Sequence, residues 1–372
     1  MRAPRGYSDR VTQSVMTTTR GGNHFDRSDY VLFGITLVAV LAALLTRGQR
    51  NVLAFVCSAA AVAVLAALVG RAVEQLGDRF GPGATGVLQS ALGNLPELFI
   101  ALFALKAGLV EVVQAALIGS ILANLLLVMG LCFLVGGLKH GTQKLDSGRA
   151  QFIGVMLLVS VAAMVFPSVA SYVHTPAAAH ETSLSLIAAV VLLVLFALSL
   201  PASVRKSDQL EVVAEKEPPR WTLPVAIGLL AGSALAAAFV SDWFVDALEP
   251  AMQALNISAA FSGLVIVAIA GNAIENVVGL QLASRNESEM AFAVVINSPL
   301  QIALVLAPVL VIASSLLGFA PLTLVFSPML VAAVLVAVIL AIVITFDGRS
   351  NWLEGSALIG LYVIIAAAFW WG

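Results

Sequence analysis

Eleven long apolar stretches, separated by short polar turns, decide what this chain can fold into. They run roughly over residues 30–46, 51–73, 84–105, 110–137, 150–173, 182–204, 221–247, 257–284, 289–317, 322–346 and 351–371. A helix needs about 20 mostly apolar residues to cross the hydrocarbon core of a bilayer, and only the first stretch is short of that. Membrane strands would alternate apolar and polar residues, and the run Leu184–Leu200 does not alternate. Only 11% of the 372 residues are charged, less than half of the roughly one quarter that a soluble domain carries. The predicted fold is therefore all-α, a multi-pass membrane protein of about eleven transmembrane helices whose first partner is the lipid bilayer. The net charge of −2 points to no nucleic-acid partner. The first apolar run starts late and no small-residue cleavage site follows it, so it reads as a retained helix.

Basic residues set the predicted orientation. With the N-terminus in the cytoplasm, 16 of the 19 Lys and Arg fall on the cytoplasmic side, and only Arg47, Arg50 and Lys106 fall outside. Cytoplasmic connections carry this excess in membrane proteins. The chain divides into a cytoplasmic tail (1–29), an N-terminal half (30–204), a charged cytoplasmic linker (205–220) and a C-terminal half (221–372). The linker reads as a solvated segment. Cys57 and Cys132 lie inside apolar runs, as packing residues rather than a disulfide pair. His24, His140, His174 and His180 lie in polar segments without metal-ligand spacing, so no resident cofactor is expected.

An internal repeat carries the chemistry. Gly93-Asn94-Leu95-Pro96-Glu97 in the third run matches Gly271-Asn272-Ala273-Ile274-Glu275 in the eighth, at an offset of 178 residues, and the same offset sets Glu111 on Glu289 and Ser120 on Ser298. Runs three and eight are an odd number of crossings apart, so the two copies enter the membrane from opposite faces. The result is a pair of inverted-topology repeats of about five helices each, with the first helix as an extra element. Such repeats place a substrate site near the midplane where the copies meet.

The motif itself weakens a helix. Gly lacks a side chain, Asn competes for backbone hydrogen bonds, and Pro96 removes a donor. Irregular backbone at membrane depth is tolerated only around a buried cavity. Asn94 and Glu97, and likewise Asn272 and Glu275, sit at i and i+3 and share a face. Ser120 and Asn124 follow in the next helix, with Ser298 and Gln301 in its counterpart. These residues offer an all-oxygen set of the kind that hard cations take, six to eight ligands for Ca²⁺. An intramembrane glutamate is expensive and functional by default. The amides and hydroxyls can also act as interhelical glue or small packing residues. Glu111 and Glu289 stand near helix starts, where an acid complements the dipole; inverted symmetry would equally set one at each vestibule.

At these residues the sequence resembles the Ca²⁺:cation antiporter superfamily, on its cation/proton exchanger (CAX) branch. The stretches are GNLPELFIALFALKAG with GSILANLLLVMG, and GNAIENVVGLQLASRN with NSPLQIALVLAPVL. It looks closest to bacterial members that exchange Na⁺, Ca²⁺ or K⁺ for protons, which implies a bacterial inner (plasma) membrane. By that resemblance Glu97 and Glu275 are the paired acids that bind the cation and carry protons, Asn94 and Asn272 are amide ligands, and Ser120, Ser298 and Gln301 line the pore. Asn276 stands where many eukaryotic relatives have histidine, and Asn297-Ser298-Pro299 where they have Gly-Ser-Ser.

The expected function is secondary antiport of a cation, Ca²⁺ before Na⁺ or K⁺, against protons by alternating access. A carboxyl at midplane crosses most easily when neutralised, by a proton or by a cation, and competition for one site couples the fluxes. A Na⁺-driven exchanger of the same superfamily is the first alternative; Ala123 and Ile302 interrupt the polar face and lean towards protons. A cation channel is the second, although a channel has no need of inverted copies of a titratable motif. A membrane protease would need two apposed intramembrane aspartates or a Ser/His pair; no run holds a His and no run core holds an Asp, so no enzyme is expected.

Overall fold

The computed structural model describes residues 25–80, 92–210 and 220–371; the side chains of 78–80, 200–210, 274 and 275 lie outside that description. The tail before residue 25, linker residues 211–219 and the start of the third apolar run fall outside it too. Helices appear where the apolar runs are: α1 (Arg27–Thr46), α2 (Val52–Phe80), α3 (Leu95–Lys106), α4 (Val110–His140), α5 (Ser147–Tyr172), α6 (Glu181–Leu210) and α7 (Leu223–Leu255). The eighth run forms two helices, α8 (Ala259–Gly271) and α9 (Ala273–Ser284). Then come α10 (Ser288–Leu317), α11 (Pro328–Thr345) and α12 (Trp352–Trp370). Nine of them, among the described residues, are long and apolar enough to cross a membrane alone, and α8 with α9 makes a tenth, bent crossing. With α3 as the described part of the third run, the protein is an all-α multi-pass membrane protein with two inverted repeats and one extra N-terminal helix.

Two runs depart from simple helices. Residues 322–326 were expected to begin the tenth helix, but they form an irregular segment with a bend at Leu324, and α11 starts only at Pro328. Side chains take over the backbone bonding there. Leu322, Leu324 and Phe326 donate their N–H groups to the hydroxyls of Ser314, Ser185 and Ser168 at 3.0, 2.9 and 2.8 Å. Gln114 Nε2 donates to the carbonyls of Thr323 and Val325. Non-helical backbone survives in an apolar interior only when it is satisfied in this way. Proline at 321 and 328 disfavours a helix through the segment. The second departure is the linker's start, which continues α6 as helix to Leu210.

The extra helix α1 is fastened to the repeats at its N-terminal end. Asp29, 1% exposed, accepts from Arg71 Nε of α2 at 3.3 Å and from Trp221 Nε1 at 3.1 Å. Gln75 Oε1 takes the backbone N–H groups of Arg220 and Trp221 at 2.8 and 3.1 Å. Trp221 is buried with Leu68, Ala72, Leu76 and Ala226, against Phe25 and Phe33. Asp26 caps α1 and pairs with Arg220. The hydroxyl of Ser28 and the backbone N–H of Asp29, with Arg220 and Arg71 behind them, hold its carboxyl down at about 2. On this face a two-residue antiparallel pairing, β1 (Gln143–Lys144) with β2 (Arg349–Ser350), joins the α4–α5 and α11–α12 connections. Cys132 is buried and Cys57 half-buried, both as free thiols.

Candidate cation site

The site is built where the two motif helices break. Asn94 (φ −93°, ψ 16°) and Asn272 (φ −98°, ψ 24°) have nearly the same non-helical backbone, and each directly precedes a helix, α3 or α9. Each asparagine carbonyl accepts the first bond of its new helix, from Leu98 N and from Asn276 N. The break in the second copy turns the chain by 61°. Glu97 and Glu275 therefore fall in the first turn of a helix, where the unpaired N–H groups and the dipole favour negative charge.

Beside each break a helix loosens into a π turn. In α4 it covers Ala123–Val128 and in α10 Ile302–Leu306. The offset of 178 residues maps one onto the other. Such widened turns are frequent at functional sites; here they carry Asn124 and directly follow Gln301. Close crossing brings the helices together. A Cβ on Gly119 of α4 would lie 2.3 Å from the Leu264 carbonyl of α8, and one on Gly263 of α8 would lie 2.3 Å from the Val112 carbonyl. Only glycine fits at either point, and small residues at crossings are how membrane helices approach.

The resulting cluster is polar and buried. Glu97, Ser120, Asn124, Asn272 and Ser298 are each no more than 3% exposed. Ser120 Oγ donates to Glu97 Oε1. Asn124 Nδ2 reaches Asn272 Oδ1 at 2.9 Å, Ser298 Oγ at 3.2 Å and the Ser120 carbonyl at 2.9 Å. Ser298 Oγ donates to Asn272 Oδ1 at 3.1 Å, and Asn272 Nδ2 to the Ala268 carbonyl. Asn94 Nδ2 lies 3.5 Å from Gln301 Oε1. Gly271 has its α-carbon against Glu97, so that an added Cβ would meet Glu97 Cγ at 3.3 Å. Asn124 Oδ1 is buried with no hydrogen-bond partner. Residues 94–124 of the first copy and 271–301 of the second thus converge on one point. The side chain of Glu275 lies outside the described residues; its backbone sits at the start of α9. No group of three or more His, Cys, Asp or Glu that could hold a metal ion occurs among the described residues; the polar atoms gathered around Glu97 are those of amides and hydroxyls.

The outer members of the set separate. Glu111 is exposed at the start of α4. Glu289 is held: it accepts from the backbone N–H of Asp146 at 2.6 Å and lies 3.7 Å from Arg149. A void of about 10 Å³, room for about one water, lies against Glu97 where Ala101 and Ala104 of α3 meet Val112 and Ala116 of α4, with Val267 and Leu306 beside them. Sequence reading had not singled out these small residues, because nothing separates an alanine that lines a void from one that packs a core. Gly119 and Gly263 were also missed; a glycine inside an apolar run is their only trace.

Known proteins match this chain in sequence and in fold. The family described as sodium/calcium exchanger protein matches residues 50–204 and again 225–371, once in each half. The Ca(2+)/H(+) antiporter of Aphanothece halophytica is 35% identical over 85% of this chain and 89% of its own length. The Ca(2+)/H(+) antiporter ChaA of Bacillus subtilis is 37% identical over 83% and 89%. The solved structure of native YfkE is 32% identical, with a TM-score of 0.77 over 92% of this chain and 99% of that one. The H+/Ca2+ exchanger CAX, at 18% identity and a TM-score of 0.69, shares the fold. This chain therefore belongs to the sodium/calcium exchanger family, as a Ca²⁺:cation antiporter of the CAX type.

Proposed function

We propose that the protein exchanges Ca²⁺ for protons by alternating access, with Glu97 and Glu275 as the groups that hold either cargo. The observation that carries this reading is Glu97 itself: a carboxyl 3% exposed, at a helix start, against Gly271 of the opposite copy and bonded to Ser120. A buried carboxylate must be neutralised, and proton and cation do so in mutually exclusive ways. Around it Asn94, Ser120, Asn124, Asn272, Ser298 and Gln301 supply neutral oxygens of the kind Ca²⁺ takes. Ca²⁺ as the cargo is supported by relatives whose names give Ca(2+)/H(+) exchange.

Protons, rather than Na⁺, are supported as the counter-cargo by the composition of the polar face. Ala123 and Ile302 are buried next to Asn124 and Gln301, so the face offers no second row of oxygens that could fill several cation sites at once. Exposed Glu111, at the start of α4, would concentrate cations at the α3–α4 face, which supports an opening there. Inverted symmetry supplies the opposite opening, at the face where Glu289 stands. The basic-residue bias supports an N-terminus in the cytoplasm, and the resemblance supports a bacterial inner membrane.

Purified protein in liposomes with an entrapped pH dye tests the reading. A Ca²⁺ pulse should produce a counterflow of protons that an imposed Na⁺ gradient neither drives nor replaces. Ca²⁺ movement coupled to Na⁺, with no proton flux, would move the protein to the Na⁺-driven class; Ca²⁺ flow without any counter-ion would make it a channel.

A further inference from the structure

A second cavity, away from the candidate cation site, opens where α1 ends, α2 begins and α7 passes by. Its volume is about 220 Å³, against about 30 Å³ for one water in the liquid. Arg47, Gln49 and Arg50 of the α1–α2 turn line it, with Trp243 and Asp246 of α7 across from them and Ser58 at its floor. Ser58 lies about 10 Å along α2 from Asn51, at 1.5 Å rise per residue, so the cavity reaches below the level of the turn. Its hydroxyl is already spent on the carbonyls of Ala54 and Phe55.

The charges here are unusual for this chain. One crossing separates the turn from the N-terminal face, and membrane proteins concentrate Lys and Arg on one face only. Two of the three basic residues that fall opposite the tail are nonetheless gathered at this one cavity. No ion pair involves Arg47, Arg50 or Asp246 among the described residues. Arg47 stacks over the Trp243 ring, its Cζ 5.2 Å from the centroid; a stacked guanidinium keeps its edge N–H groups free for an anion. Two arginines repel cations, so the cavity is not a second cation route. Lipid-facing surface adjoins it directly: Leu45 and Leu53, on either side of the turn, are 79% and 59% exposed. A tryptophan at this depth belongs to the headgroup level.

We propose that this cavity binds the headgroup of an amine-bearing phospholipid such as phosphatidylethanolamine. The phosphodiester sits between Arg47 and Arg50, the ammonium meets Asp246, and the acyl chains lie over Leu45 and Leu53. Guanidinium groups suit phosphate because their donors form a planar fork. Basic pockets between membrane helices take lipid headgroups by the same chemistry.

Native mass spectrometry of the full chain released from nanodiscs of equal phosphatidylethanolamine and phosphatidylglycerol reads this directly. Wild type should carry phosphatidylethanolamine in preference. The double variant Arg47→Gln/Arg50→Gln should lose at least tenfold of that occupancy, while Asp246→Asn should keep a bound lipid but lose the preference for the amine. All three altered residues are exposed, and an unchanged elution volume and helical circular dichroism confirm folding. In detergent, phosphatidylethanolamine should raise the unfolding temperature and inorganic phosphate should not. Equal lipid retention by the double variant, preference for phosphatidylglycerol in wild type, or equal stabilisation by inorganic phosphate would each overturn the assignment.

Discussion

Substituting Asn124 by leucine separates a cation ligand from a mere brace. The orientation of its amide is forced. Nδ2 faces the Ser120 carbonyl, Asn272 Oδ1 and Ser298 Oγ at 2.9, 2.9 and 3.2 Å, and turning the amide over would set oxygen against oxygen. Oδ1 is left buried with no donor. An acceptor in that state costs about 1–3 kcal/mol, which a hard cation recovers by coordinating it. Leucine keeps the bulk and removes both ends of the amide. Without cation, the two bonds that Nδ2 can make at once are lost, at about 0.5–1.5 kcal/mol each, and the unsatisfied oxygen disappears with them. These changes offset each other, so the unfolding temperature of the cation-free protein should move little. With Ca²⁺ present the missing ligand is felt in full. Apparent affinity should fall by about 1–3 kcal/mol, roughly 5- to 150-fold. Ca²⁺ titrations followed by thermal unfolding in detergent, with Ca²⁺ uptake by liposomes in parallel, measure both quantities. A leucine variant that binds Ca²⁺ like wild type but unfolds several degrees lower without it would show the amide to be structural only, and would refute the reasoning.

Two further perturbations test the frame around the site. Gly119→Val places a Cβ 2.3 Å from the Leu264 carbonyl; because backbone must give, destabilisation should reach the upper part of the 1–3 kcal/mol range for overpacking. Thermal unfolding should show it, with Gly34→Val, at a position with nothing within 4 Å, unchanged. At the base of α1, the Asp26 carboxyl is held at about 2 against 3.8 for a free aspartate. Its contribution to docking α1 is present above pH 4 and is lost as pH falls from about 4 through 2. Trp221 packs against Phe25 and Phe33, so its fluorescence should change across that acid window in wild type and not in Asp26→Asn.

The fold was legible where lipid alone dictates it. Long apolar runs, odd spacing between two polar motifs and lopsided basic residues foretell helices, an inverted repeat and an extra first helix. The same apolarity hid the non-helical stretch at 322–326, because Leu322, Leu324 and Phe326 are as greasy as a helix would be. Ser168, Ser185, Ser314 and Gln114 had to reach it from elsewhere in the chain before its backbone could leave the helix. At the site, residue types and their i and i+3 spacing indicated which oxygens gather. They could not indicate the partners, since Asn124 finds Asn272 and Ser298 across 148 and 174 residues. Nor could they separate Glu111 from Glu289. The two occupy matching positions in the repeats, yet only Glu289 has Arg149 and the Asp146 N–H within reach. The knot of Asp26, Asp29, Arg71 and Arg220 escaped notice because charges near membrane ends ordinarily read as solvated.

Proton release on Ca²⁺ binding tests the shared-carboxyl site most directly. In weakly buffered detergent solution near neutral pH, adding Ca²⁺ to wild type should acidify the medium in proportion to the cation bound, and raising the proton concentration should lower apparent affinity without lowering the number of sites. Glu97→Gln keeps the oxygen that faces Ser120 but can neither bind as an anion nor carry a proton. It should stay folded, bind Ca²⁺ far more weakly and release no proton from that position. Wild-type Ca²⁺ affinity with unchanged proton release in Glu97→Gln would contradict the account.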